Sequence, residues 1–185
     1  MTEKEAAGQI SSRRVYSGRI ISVDLDEVRF PNGTTGELEM VRHPGASAVV
    51  PFLDDPRSSD PRIILIRQYR YAANGFVHEI PAGRLDHGES PLDCAARELR
   101  EETGYSAREL HPLTTFYTTP GFTDERIHLF AAIGLTEGES ELESDEILDL
   151  VRVPISRAIE MIQAGELVDG KSMIGLFFAS RFMRA

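Results

Sequence analysis

Residues 83–105 read GRLDHGESPLDCAARELREETGY. Ser90, Pro91 and Asp93 mark a helix start: a capping hydroxyl, a proline suited to the first helical position and a capping-box-like S-x-x-D. Gly104, after Thr103, supplies a left-handed stop. Leu92, Ala95, Ala96 and Leu99 fall at i, i+3, i+4 and i+7, which predicts a buried stripe with two alanines small enough to bring the helix close to a sheet. Glu98 and Glu102 lie on the neighbouring stripe, with Glu101 about 60° away, so the acids are expected along the edge of the packed face. Like charges four apart repel, and acids near a helix C-terminus oppose its dipole, each effect costing a few tenths of a kcal/mol or more. A solvated acidic face screened by Arg97 and Arg100 is the commonest fate of such a helix. A bound divalent cation with oxygen ligands would compensate the cluster more fully.

Working outward toward the N-terminus, residues 1–13 are polar and expected to be loose. Val15–Val23 and Leu25–Phe30 read as strands, Pro31-Asn32-Gly33 as a hairpin turn, and Glu37–Arg42 as the returning strand. Ala46–Leu53 and Ile63–Gln68 are further strands, separated by the polar loop DDPRSSDP. Phe76–Ile80 leads through Pro81 into the stretch quoted above. Beyond it, Leu110–Thr118, Arg126–Gly134 and Ile147–Val153 are predicted strands, with an acidic loop, LTEGESELESDE, at 135–146. Pro154–Ala164 and Ser172–Phe182 are predicted helices. Strands, helix, strands and helices in this order predict an α/β domain with helices flanking a mixed sheet, residues 45–185, behind a small N-terminal antiparallel β unit, residues 1–44.

The chain has 185 residues, a net charge of −10 and one cysteine. The acidic balance argues against a nucleic-acid partner, which calls for a basic patch. No apolar run approaches a membrane span and the N-terminus lacks an apolar signal core. The lone Cys94 leaves no intrachain disulfide and suits a reducing cytoplasm; inside the acidic helix it reads as a packing residue rather than a nucleophile. Gly165–Ser172, GELVDGKS, matches the phosphate-loop pattern formally. It lacks the preceding strand and carries Glu166 and Asp169 where phosphate would sit, so Lys171 reads as a surface residue opening the last helix.

The spacing G-x5-E-x7-R-E-U-x-E-E-x-G-U, with U bulky and apolar, is filled by Gly83, Glu89, Arg97, Glu98, Leu99, Glu101, Glu102, Gly104 and Tyr105. Seven fixed positions with two bulky apolar slots match by chance about once in 10⁹ windows. The stretch resembles the signature of the Nudix hydrolases, with Tyr105 a departure because that slot is more often aliphatic. The resemblance implies a three-layer α/β/α sandwich and metal-assisted hydrolysis of a nucleoside diphosphate linked to another moiety. It implies Glu98 and Glu102 as principal ligands of Mg²⁺, or of Mn²⁺ in its place. Glu101 is then a further ligand or a water-positioning group, and the Ala82 carbonyl another ligand. Arg97 would orient the glutamates with Glu89, and Gly83 and Gly104 would serve as backbone devices.

The segments IRQYRY (66–71), HEIPAG (78–83) and TTPGFTDERIHLF (118–130) resemble the ADP-ribose pyrophosphatase branch. That branch implies Arg70 as a phosphate ligand with Arg67 a weaker candidate. It also implies a substrate loop, Thr119–Thr123, containing Pro120 and Gly121, and a homodimer exchanging its N-terminal units so that Glu39 of one copy meets the adenine of the other. The general base is expected on the acidic loop, Glu146 first and Glu143 second. GDP-mannose or another nucleotide sugar is the alternative substrate. Binding of ADP-ribose without cleavage is a further alternative, disfavoured by the intact signature.

Overall fold

In β4 (Ala46–Pro51) and β5 (Arg62–Arg70) every apolar residue from Ala48 to Val50 and from Ile63 to Ile66 is fully buried. Strands buried on both faces need cover on both sides, and that requirement organises the larger part of the molecule. The computed structural model describes residues 6–140 and 147–182. The chain forms two compact units, Met1–Gly45 with Tyr117–Arg126, and Ala46–Phe116 with Ile127–Ala185.

The second unit holds two sheets. One is four-stranded, in the order β7 (Ala82–Arg84), β4, β9 (Arg126–Glu137), β8 (Tyr105–Tyr117). In it β4 runs parallel to β9 and antiparallel to β7. The other is antiparallel, in the order β10 (Leu148–Pro154), β5, β6 (Gly75–Glu79). Alternation along the strands sorts side chains into two cores. Ala48, Val50, Ile63, Leu65 and Leu129 pack with Ile155, Ala158 and Met161 of α2 (Ile155–Gln163) and Leu176 and Ala179 of α3 (Gly170–Phe182). Val49, Ile64, Phe130 and Ala132 pack with Ala95 and Leu99 of α1 (Pro91–Thr103). Helix α1 on one side and α2 with α3 on the other give the three layers that the element order implied.

The first unit is a three-stranded antiparallel sheet, β1 (Gly8–Ser17), β2 (Ser22–Arg29) and β3 (Thr35–Arg42). Two expectations are corrected here. The N-terminal residues from Gly8 form a strand rather than a loose tail, because β1 pairs with the whole of β2. The predicted strand Val15–Val23 is broken by a tight turn in which Gly18 N–H donates to the Ile21 carbonyl at 2.9 Å, so its two ends belong to different strands. The Phe30–Thr34 turn closes the second hairpin, with Gly33 at φ 90° and the Asn32 side chain accepting from Thr34 N–H. Tyr117–Arg126 joins this unit through a parallel bridge between Val41 and Thr123 and a 2.7 Å bond from Val41 N–H to the Phe122 carbonyl. No helix among the described residues is long and apolar enough to cross a membrane.

Candidate active site

Helix α1 begins and ends as its sequence dictates. Ser90 Oγ accepts from Asp93 N–H, Pro91 occupies the first turn, and Gly104 closes the helix at φ 75°. The buried face is rotated from the expected one. Leu92 and Ala96 are exposed, whereas Cys94, Ala95, Glu98, Leu99, Glu102 and Thr103 are buried. Glu98 and Glu102 therefore point into the protein rather than line its edge, at 7% and 2% exposure. The cause lies opposite them. Strand β7 offers polar backbone to that face, and Ala82 N–H donates to Glu102 Oε2 at 2.9 Å. Periodicity alone ranked apolar residues as the inward ones and could not show that a strand terminus would receive carboxylates.

Gly83 makes room for the second acid. A Cβ at that position would stand 1.8 Å from Glu98 Oε1, so the carboxylate occupies the space a side chain would take. Gly104 is needed for a different reason: besides its positive φ, a Cβ there would press on the backbone of Gly138–Ser140, whose Gly138 N–H donates to the Gly104 carbonyl at 2.7 Å.

Arg97 ties the acids together. Its Nε and Nη2 grip Glu89 at 2.8 and 2.9 Å, and its Nη1 donates to Glu98 at 2.6 Å and to Glu101 at 3.0 Å. Nη2 also reaches the Arg84 carbonyl at 3.1 Å. The Glu89 side chain in turn accepts from Asp86 N–H, fixing the loop between β7 and α1. Hydrogen bonding from Arg97, against the opposing effect of burial, holds Glu89 well below its ordinary range, at about 2. The carboxylates raise the Arg97 pKa further, Glu89 most of all, so its charge is permanent. Cys94 lies beneath this cluster; burial first, then the charges of Glu89 and Glu98, push its thiol up to about 12, which leaves it an inert packing residue.

Among the described residues no group of three or more His, Cys, Asp or Glu side chains sits at metal-holding distance. Arg97 draws Glu98 and Glu101 to itself, and Ala82 N–H holds Glu102. The donor chemistry nevertheless fits a hard divalent cation. Glu98 and Glu102 present carboxylate oxygens against the backbone of Ala82 and Gly83, and Mg²⁺ prefers such oxygens in small number.

Arg70 and Arg67 stand on β5. Arg70 is clamped by the buried Glu79 through two bonds, of 2.7 and 2.8 Å, while Arg67 lies 4.0 Å over the Phe76 ring and within 3.4 Å of Asp149. Lys171 is not the surface residue expected: its side chain is 13% exposed and pairs with both Glu79 and Asp169. Sequence reasoning passed over Glu79 and took Lys171 for a solvated residue. The available signal was a carboxylate, Glu79, set between the apolar Val77 and Ile80 at the end of β6.

In the first unit, Pro120 and Gly121 sit exposed in a turn closed by Phe122 and Thr123 N–H groups on the Thr119 carbonyl. Arg42 braces this turn through Asp124 at 3.2 Å, and also pairs with Asp24 and Asp26. Glu39 is an exposed residue of β3, opposite Leu25 of β2. Glu143 and Glu146 lie outside the described residues.

Against known proteins, the NUDIX domain model matches residues 42–173, and the nucleoside diphosphate sugar hydrolase N-terminal domain model matches residues 9–37. The chain is 39% identical over 169 residues to a methanol dehydrogenase activator of Bacillus methanolicus, covering 90% of this chain and 89% of that one. It is 38% identical over 165 residues to an ADP-ribose pyrophosphatase of Bacillus subtilis, covering 88% and 86%. A crystal structure of an ADP compounds hydrolase superposes with a TM-score of 0.82 over the whole of both chains at 23% identity, a likeness of fold.

Proposed function

Because the chain belongs to the NUDIX family, we propose that it hydrolyses the pyrophosphate of ADP-ribose, or of a closely related nucleoside diphosphate sugar, to AMP and ribose 5-phosphate. The observation that carries this reading is the pairing of α1 with β7, where two buried carboxylates face a strand backbone kept clear by Gly83. Full-length similarity to an ADP-ribose pyrophosphatase supports the choice of substrate.

Glu98 and Glu102, with Glu101 and the Ala82 carbonyl, would hold Mg²⁺, or Mn²⁺ in its place. Bound there, the metal would supply charge neutralisation at the phosphoryl oxygens and activation of the attacking water. The remaining work falls to the chain. Arg97 pre-orients Glu98 and Glu101 through a fork anchored on Glu89, so that little side-chain freedom is lost on binding. Arg70 would hold a substrate phosphate, with Arg67 beside it on the same strand. Pro120 and Gly121 would meet the terminal sugar through the backbone of their turn. Glu146, with Glu143 second, would accept the proton of the attacking water.

The working form is proposed to be a homodimer with exchanged N-terminal units, in which Glu39 of the partner meets the adenine edge. The fully exposed β1 supports an unmet pairing surface in that unit. A single buried cysteine suits the proposed cytoplasmic location.

The test is product analysis with Mg²⁺ over ADP-ribose, GDP-mannose, NADH, diadenosine polyphosphates and 8-oxo-dGTP. AMP and ribose 5-phosphate from ADP-ribose, well ahead of the rest, is the expected result. Faster cleavage of another member would keep the metal chemistry and discard the substrate. Tight ADP-ribose binding with no cleavage of any member would replace the enzyme with a sensor.

A further inference from the structure

Glu79 is 3% exposed, yet two cations share its carboxylate. Arg70 Nε and Nη2 take both oxygens, and Lys171 Nζ, from the first turn of α3, shares Oε2. The outer nitrogen of Arg70, Nη1, has no hydrogen-bond partner among the described residues, and the Arg70 side chain is 42% exposed. The clamp thus fixes one edge of the guanidinium and presents the other.

Lys171 is itself fixed. Asp169 accepts from Lys171 Nζ at 3.1 Å, and the same oxygen caps α3 by accepting from Ser172 N–H at 3.0 Å and from Ser172 Oγ. Ser172 Oγ in turn accepts from Ile80 N–H at 2.8 Å. The end of β6 and the start of α3 are therefore held together at the cluster.

The charge count decides the consequence. Asp169 pairs with Lys171 and also acts on Arg70, so it belongs in the count. Without Lys171, Glu79 and Asp169 would outweigh Arg70 by one negative charge, a poor receptor for phosphate. With Lys171 on the Glu79 carboxylate, the four charges balance and the exposed edge of Arg70 is left to face an anion. Burial opposes ionisation of Glu79, but the two cations hold it below the ordinary range and charged.

We infer that Lys171 is a positioning residue for phosphate recognition: by offsetting Glu79 it lets Arg70 be rigidly clamped without a net negative charge facing the substrate. The inference rests on the reading of Arg70 as a phosphate ligand given above.

The experiment measures KM and kcat for ADP-ribose at fixed Mg²⁺, with melting temperature, for Arg70→Ala, Lys171→Met, Lys171→Arg and the double variant Glu79→Gln/Lys171→Met. Arg70→Ala should raise KM by about tenfold or more. Lys171→Met should raise KM by roughly five- to tenfold with kcat within about twofold, and Lys171→Arg should keep the low KM. The double variant removes the cancelling charge together with Lys171, so its KM should return to within about threefold of the starting enzyme. A structural role would not produce that recovery, since the double variant loses more contacts than the single one. An unchanged KM in Arg70→Ala overturns the reading of Arg70, and the inference with it. A raised KM in Arg70→Ala beside an unchanged KM in Lys171→Met overturns the inference alone. Should Lys171→Met fail to fold, the double variant decides: a KM near the starting value supports the inference, and a KM as high as that of Arg70→Ala overturns it.

Discussion

A methyl group at position 83 would fall 1.8 Å from Glu98 Oε1, closer than any real contact. What it meets is the tip of a flexible side chain, not backbone. The fold can therefore absorb Gly83→Ala by rotating Glu98 away, while the carboxylate cannot stay where it is. We predict separable effects: a melting temperature within a few degrees of the starting protein, and kcat for ADP-ribose reduced by on the order of 10² or more. Steady-state kinetics beside a thermal melt checks this, and a Gly83→Ala enzyme with near-normal turnover would show that Glu98 is not needed where it lies. The same residue shows what the sequence could say and where it stopped. The spacing of Gly83 to Glu98 marked both as functional, but the reason for a glycine there, a carboxylate filling its side-chain space, exists only once β7 is laid against α1. For Lys171 the sequence misled. A lysine at the start of a helix is ordinarily solvated, and nothing local announces the buried carboxylate of Glu79, which is 92 residues away in the chain.

Helix α1 illustrates the next scale. Its ends were legible because caps are local chemistry: Ser90, Pro91 and Gly104 act on their own neighbours. Its buried face was not, because Glu98 and Glu102 are inward only by virtue of what they meet. Of the two buried acids, Glu98 meets the cation Arg97, backed by Glu89, and Glu102 meets the Ala82 N–H. That arrangement has a pH signature. Glu89 is lowered from an ordinary 4.5 to about 2 in the folded protein. A depressed folded pKa adds stability that is fully present above the unfolded value and is lost as pH falls toward the folded one. Glu89→Gln should thus be less stable than the parent at neutral pH. The gap between the two should close as pH drops from 4.5 toward 2. Urea midpoints measured at a series of pH values check this; a gap that stays constant across the range would mean that Glu89 contributes by packing and not by charge.

At the scale of the molecule, the two units differ in how they could be stable. The Ala46–Phe116 and Ile127–Ala185 unit has apolar cores on both faces of its sheets. Among the described residues, the N-terminal sheet has no comparable apolar core. Every residue of β1 is exposed, and Ile10, Val15, Tyr16 and Ile20 are all apolar side chains left in solvent. The buried residues of β2 are Asp24 and Asp26, matched by Arg14 and Arg42. A three-stranded sheet needs an apolar face to stand alone, and a buried ion-pair set is a poor substitute because desolvation offsets its attraction. The proposed exchange of N-terminal units between two copies would give this sheet the cover it lacks. The sequence displayed the apolar residues of β1 only in part, since bulges between Gln9 and Ser11 and between Arg14 and Tyr16 disrupt the simple alternation of a strand. The expected outcome is a sedimentation-equilibrium mass about twice the chain's 20.6 kDa. Val15→Glu combined with Ile20→Glu should drive the protein toward the single-chain mass. ADP-ribose turnover should fall with it by about tenfold or more, because Glu39 would no longer reach a neighbouring site. A parent protein that sediments as a single chain while cleaving ADP-ribose at full rate would remove the exchange, and with it the role given to Glu39, and would leave the metal site proposed on α1 untouched.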